Sequence, residues 1–299
     1  MIPGLSIIFM AISAVISIGL PIALFLIWQK RYKLKAVPLL VGAGIFILFA
    51  LILQQFLHML VLRPNPDGSI NLIANDPALY VLYGILAAGI FEETGRFVAF
   101  HFLKKRYNGI GTGISYGIGH GGVEAILLAG LAMISIITMS VVINTGNLEV
   151  LGDDPAVIAQ INALINTESS LFLASGIERV IAISAHISLS ILVWCAVKIR
   201  SKLWLYPAAI ILHAIVNLVP AMFQAGVIGN IWLVEGIIVI PATLTAIAAY
   251  FACKTLWREE NAEPTPPDNP EEHTENEEAT EAITTPPDTP AEPETNNEE

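Results

Sequence analysis

Four of the seven apolar stretches in this chain carry ionisable side chains in their middles. FEETGR brings Glu92, Glu93 and Arg96, and YGIGHGGVE brings His120 and Glu124. IERVIAISAH brings Glu178, Arg179 and His186, and LHAIVN brings His213 and Asn217. A charge at the centre of a bilayer costs about 2.5–3.5 kcal/mol on insertion scales. One such residue could be an accident. This many must face one another or trapped water, so they mark a site.

The bilayer enters through composition. The chain has 299 residues, of which 55% are hydrophobic and only 14% charged. About 20 apolar residues cross ~30 Å of hydrocarbon. Stretches of that length run over 4–28, 37–62, 77–103, 111–143, 170–198, 203–223 and 229–253. The pattern predicts an all-α, polytopic membrane protein, with about seven transmembrane helices in a bundle. The first stretch has no basic residue before it and no small-residue cleavage site, so it reads as a retained helix. No basic patch with interleaved aromatics is present, which argues against nucleic-acid binding. Cys195 and Cys253 form no CxxC pair and read as inert thiols.

Lysine and arginine set the expected orientation. QKRYKLKA, KKRYNG, KIRSK and CKTLWRE belong on one side. RPNPDGSINLIAND and TGNLEVLGDDPAVIAQINALINTE, acidic or neutral, belong on the other. The expectation is a multi-pass protein of the plasma membrane, N-terminus outside and C-terminus in the cytosol. Residues 1–257 form the membrane domain. Residues 258–299 are rich in Pro, Glu, Thr and Asn, and are expected to be a disordered acidic tail.

Depth brings the polar residues together. Counted at ~1.5 Å per residue from the basic ends, Glu92, His120, His186 and His213 fall about 15–18 Å into their helices. Glu92 and Arg96, His120 and Glu124, and His213 and Asn217 are each four apart, so each pair shares one helix face. Small residues flank these stripes: Gly95, Gly117, Gly119, Gly121, Gly122 and Ala214. They allow close helix approach. The glycines beside His120 also weaken a helix, which predicts local unwinding there.

Carboxylates and imidazoles in a low-dielectric cavity can act as general acids and bases. A Glu with a His can orient and deprotonate water, and a His with an Asn can stabilise an oxyanion. That set suffices for peptide hydrolysis. His120, His186 and His213 could equally hold zinc, although the HExxH helix signature is absent. Plainer readings stand beside these. Glu93–Arg96 and Glu178–Arg179 could be ion pairs that lock helices, and His120 a satisfied core histidine. His58 and His101 lie near span ends, lack partners of this kind, and read as interfacial.

FEETGR, YGIGH and HAIVN resemble the three motifs of the CPBP superfamily of intramembrane proteases, which includes CAAX prenyl-endopeptidases and bacteriocin-processing enzymes. Over 1–257 the chain resembles more closely the bacterial YhfC family of intramembrane proteases, with its seven-span layout, ER…H motif and HGG…E segment. The resemblance implies Glu92 as the water-activating base with Glu93 beside it, His120 assisting, and His213 and Asn217 stabilising the oxyanion. Glu178 and His186 match no core CPBP residue and are family-specific additions. Here only Thr94 and Gly95 separate the glutamate pair from Arg96, where the superfamily has three residues. Arg96 is then placed to pair with Glu92, which leaves open whether Glu92 or Glu93 is the base.

The leading expectation is a glutamic-type intramembrane endopeptidase with no cofactor, acting on a membrane-embedded or lipidated peptide. Its partners are that substrate and membrane lipid. A zinc-dependent intramembrane metalloprotease is the mechanistic alternative. A proton-coupled transporter would also use buried Glu and His, but no inverted repeat is evident. A non-catalytic membrane scaffold is the remaining class.

Overall fold

A computed structural model describes residues 1–65, 68–152 and 154–260, apart from the side chains of 156, 257, 259 and 260. The tail expected after residue 257 lies outside the described residues from 261 onward. Among the described residues there are helices and no strands.

Helix α1 spans Gly4–Tyr32. The second apolar run is α2 (Ala36–Phe46), a π-helical segment Ile47–Leu53, and α3 (Gln54–Val61). After the short α4 (Asn71–Asn75) comes α5 (Pro77–Leu103). Its start is set chemically. Pro77 occupies the first turn, where no N–H is needed, and the Asp76 carboxylate accepts from Leu79 N at 2.9 Å. α6 (Ile110–Glu124) continues through a π segment (Ala125–Gly130) into α7 (Leu131–Thr145), which ends on left-handed Gly146. Then come α8 (Pro155–Asn166), α9 (Ser169–Lys198), α10 (Leu205–Gln224) and α11 (Ile231–Glu260).

Six helical runs are long and apolar enough to cross a membrane: 4–32, 36–61, 110–145, 169–198, 200–224 and 231–256. α5 would make the seventh. Its 27 residues would span about 40 Å. Glu92, Glu93 and Arg96 in its middle are what separate it from the other six. Exposed Leu26, Leu40, Phe102, Ile211 and Phe251 give the bundle an apolar exterior suited to lipid.

α9 is the axle. Of its apolar window 72% is buried, against 22–33% for the six-helix set's other members. It packs on α1, α5, α6, α10 and α11. One apolar cluster closes the end bearing the basic residues, around Phe100, Trp194, Leu205 and Ala249. Another closes the far end, around Met10, Met133, Leu164 and Phe172. Leu164 belongs to α8, within the segment TGNLEVLGDDPAVIAQINALINTE that separates two predicted spans.

The glycines of α6 do not unwind it. The helix is regular from Ile110 to Glu124, and the irregular turn falls after Glu124. Their role is proximity. A Cβ at position 117 would lie 2.5 Å from Cα of Ile187, and one at 119 would overlap the Leu39 carbonyl oxygen. α6 therefore touches α9 and α2 backbone to backbone, which draws His120 into the middle of the bundle.

Candidate active site

Three imidazoles converge on one carboxylate oxygen. Glu92 Oε2 lies 2.9 Å from His120 Nε2, 3.9 Å from His213 Nε2 and 4.0 Å from His186 Nδ1. The four side chains come from α5, α6, α10 and α9. All are buried, and His120 is 0% exposed. Tyr116 stacks along His120, and Phe46 meets the same ring edge-on.

Two of the histidines are held from behind. His213 gives its Nδ1–H to Glu93 Oε1 at 2.7 Å, which leaves Nε2 facing Glu92. His186 gives its Nε2–H to Glu124 Oε2 at 2.6 Å, so Nδ1 carries the lone pair and accepts from Arg96 Nη2 at 3.2 Å. His120 donates Nε2–H to Glu92, while its Nδ1 is buried without a hydrogen-bond partner.

Arg96 pairs with Glu93, three residues before it, and not with Glu92 as the spacing suggested. Consecutive helical residues point about 100° apart. Glu93 turns toward Arg96 and His213, and Glu92 turns toward the imidazole cluster. Glu124 likewise does not pair with His120 on its own helix. It crosses to α9, where it meets His186 and accepts from Arg179 Nη1 at 2.9 Å. Arg179 also pairs with Glu178. The ion pairs Glu93–Arg96 and Glu178–Arg179, the plainer alternative for these residues, both form, each within a single helix.

Asn217 lines a small pocket of about 50 Å³ over Glu92, His186 and His213. Asn217, Glu124 and Glu178 also line a second cavity of about 610 Å³. These residues form the wall shared by that cavity and the histidine pocket.

The donor set fits a divalent metal. Glu92, His120 and His186 each offer a ligand atom, and those atoms all lie within 4.8 Å of one another. Two imidazoles and one carboxylate are a catalytic zinc ligand set. A carboxylate behind a ligand imidazole, as Glu124 stands behind His186, is the usual outer support of such sites. Charge agrees. In the contact network four carboxylates (Glu92, Glu93, Glu124, Glu178) face two guanidiniums (Arg96, Arg179), an excess that a divalent cation offsets. Two of the three histidines named for zinc from the sequence, His120 and His186, are in this group. His213 adjoins it through Glu92.

Two features escaped the sequence reading. Glu235 on α11 is 7% exposed, has an unpartnered Oε2, and lies within electrostatic range of Glu178 and Arg179. Its signal was a single acid in an apolar run. His58, read as lacking partners, has two: Gln54 Nε2 at 3.1 Å and Tyr83 Oη at 2.8 Å. His101 bonds only locally, to the Phe97 carbonyl at 3.0 Å.

Residues 16–238 match the family described as YhfC intramembrane metalloprotease. The chain is also similar to the "Uncharacterized membrane protein YhfC" of Bacillus subtilis (strain 168). The two are 37% identical over 253 residues, covering 83% of this chain and 96% of the relative. No solved structure matches the chain.

Proposed function

Because the chain belongs to the YhfC intramembrane metalloprotease family, we propose that it is a zinc-dependent peptidase that cleaves a membrane-embedded peptide at the Glu92–His120–His186 cluster. The observation that carries this reading is the convergence of three imidazoles on Glu92 Oε2, two of them backed by carboxylates. Glu92, His120 and His186 would hold the metal. A bound zinc supplies Lewis acidity, which polarises a peptide carbonyl and makes a nearby water more acidic.

The chain's own groups do the rest. His213 is oriented by Glu93, and its Nε2 can take a proton and return it to the leaving amine. The Glu93 carboxylate behind its ring suits this role, and oxyanion stabilisation falls to the Asn217 amide in the same pocket. Arg96 compensates Glu93, so that carboxylate orients His213 and does not itself act as the base. Glu124 fixes the His186 ring. The two apolar clusters at the bundle ends limit water entry to the cavity side. In the orientation read from the basic loops, that cavity faces the outer leaflet, since Leu62, Pro64 and Ile70 line it.

The metal-free glutamic mechanism is the second reading. One observation favours it: Glu92 bonds His120 directly at 2.9 Å, and Arg96 occupies His186 Nδ1. Purified protein in liposomes decides between them. Stoichiometric zinc, lost together with cleavage in both Glu92→Gln and His120→Ala, supports the metallopeptidase. Cleavage by zinc-free wild type, abolished by Glu92→Gln, supports the glutamic form. Cleavage retained in both variants removes both.

A further inference from the structure

The 610 Å³ cavity holds a hydrogen-bonded chain whose direction is fixed. An amide nitrogen can only donate, so Gln54 Nε2 gives a hydrogen to His58 Nε2 at 3.1 Å. The neutral imidazole then carries its proton on Nδ1 and gives it to Tyr83 Oη at 2.8 Å. Three capacities are left over. Gln54 Oε1 can accept, the second hydrogen of Gln54 Nε2 can be donated, and the Tyr83 hydroxyl hydrogen can be donated elsewhere. Gln54 is only 9% exposed, and its Oε1 is buried without a partner. All three residues line the cavity.

Donors lining a cavity suit the C=O groups of a peptide backbone, and the unpartnered Gln54 Oε1 suits an N–H. A peptide inside a membrane has its N–H and C=O groups satisfied within its own helix. Hydrolysis needs the bond exposed, so the helix must open, and the freed groups are costly in hydrocarbon unless something pairs with them. The cavity and the histidine pocket share Glu124, Glu178 and Asn217 in their walls. Ala88 in its wall is one helical turn from Glu92, about 6 Å along α5.

We infer that the Gln54–His58–Tyr83 chain docks the backbone of an unwound stretch of the membrane peptide, next to the bond that is cut. This rests on the peptidase reading and adds to it the place where the opened backbone is held. The π-helical turn Ile47–Leu53 ends directly before Gln54, and so sets the direction in which that side chain leaves its helix.

The test is binding, so that it does not depend on cleavage. Full-length Glu92→Gln protein in nanodiscs is titrated with a fluorescent apolar peptide of about 25 residues, carrying Gly-Pro at its centre. The control peptide carries Leu-Leu there. The broken peptide is expected to bind at least about tenfold more tightly. Adding Tyr83→Phe or Gln54→Leu is expected to weaken its binding about three- to tenfold, while neither change made in the wild-type chain alters its zinc content. Equal binding of the two peptides, no binding of either, or undiminished binding by both variants overturns the inference. Discriminating binding without cleavage by the wild type would keep this docking site and reject the peptidase.

Discussion

His186 is fixed through its outer nitrogen: Nε2 lies 2.6 Å from Glu124 Oε2, on a different helix. The same carboxylate accepts from Arg179 at 2.9 Å, and Arg179 pairs in turn with Glu178. The imidazole is the inner end of a polar chain leading to the cavity wall.

Glu124→Gln keeps the shape of that side chain and removes its charge. Loss of such outer support typically costs 10–100-fold in metal affinity. The expected outcome is zinc binding weakened by about that factor, read by competition with a chromogenic chelator, with the helical circular-dichroism signal unchanged. Wild-type affinity would mean that Glu124 does not support a ligand.

Arg96 compensates Glu93 in a fully enclosed position, both being 0% exposed. Removing one member of a buried pair strands the other and costs about 3–5 kcal/mol. Arg96→Met is therefore expected to lower the unfolding temperature markedly in detergent. Adding Glu93→Gln should recover part of the loss. A double variant no more stable than Arg96→Met would exclude the stranded charge as the cause.

Gly119→Ala places a methyl group into the Leu39 carbonyl. Overpacking of this kind costs about 1–3 kcal/mol. Gly44→Ala is the control, because a Cβ there meets nothing within 4 Å. That change should be neutral or stabilising by up to ~1 kcal/mol. Thermal unfolding of both variants checks the contrast.

Chelation offers a separate test of the metal. At free zinc a hundredfold above its dissociation constant, a bound ion stabilises the folded state by about 2.7 kcal/mol. A chelator is expected to lower the melting temperature and abolish cleavage, and added zinc to restore both. Melting unaffected by chelator and zinc, with cleavage intact, would favour the Glu92–His120 mechanism.

The spans were legible because hydrocarbon thickness dictates their length. Predicted and observed boundaries such as 77–103 coincide, and 170–198 differs from Ser169–Lys198 by one residue. The gathering of Glu92, His120, His186 and His213 was legible from their depth alone. Their pairings were not. Glu92 and Glu93 are both within reach of Arg96 along the helix, and only the packing of α10 decides which of them meets His213. α8 was missed because its flanks are acidic and polar, although a single buried leucine suffices to dock it. Gln54, His58 and Tyr83 sit on two helices, and no spacing within either announces their bonding.

The four helices that build the centre are interleaved along the chain, from Glu92 on α5 to Asn217 on α10. During synthesis α5, with two carboxylates and a guanidinium, is made before α9 and α10 exist. Of these three groups only Glu93 and Arg96 have a partner within the helix itself. A ribosome that stops before residue 213 leaves a chain without His213, so no truncated product can carry the complete centre into the membrane.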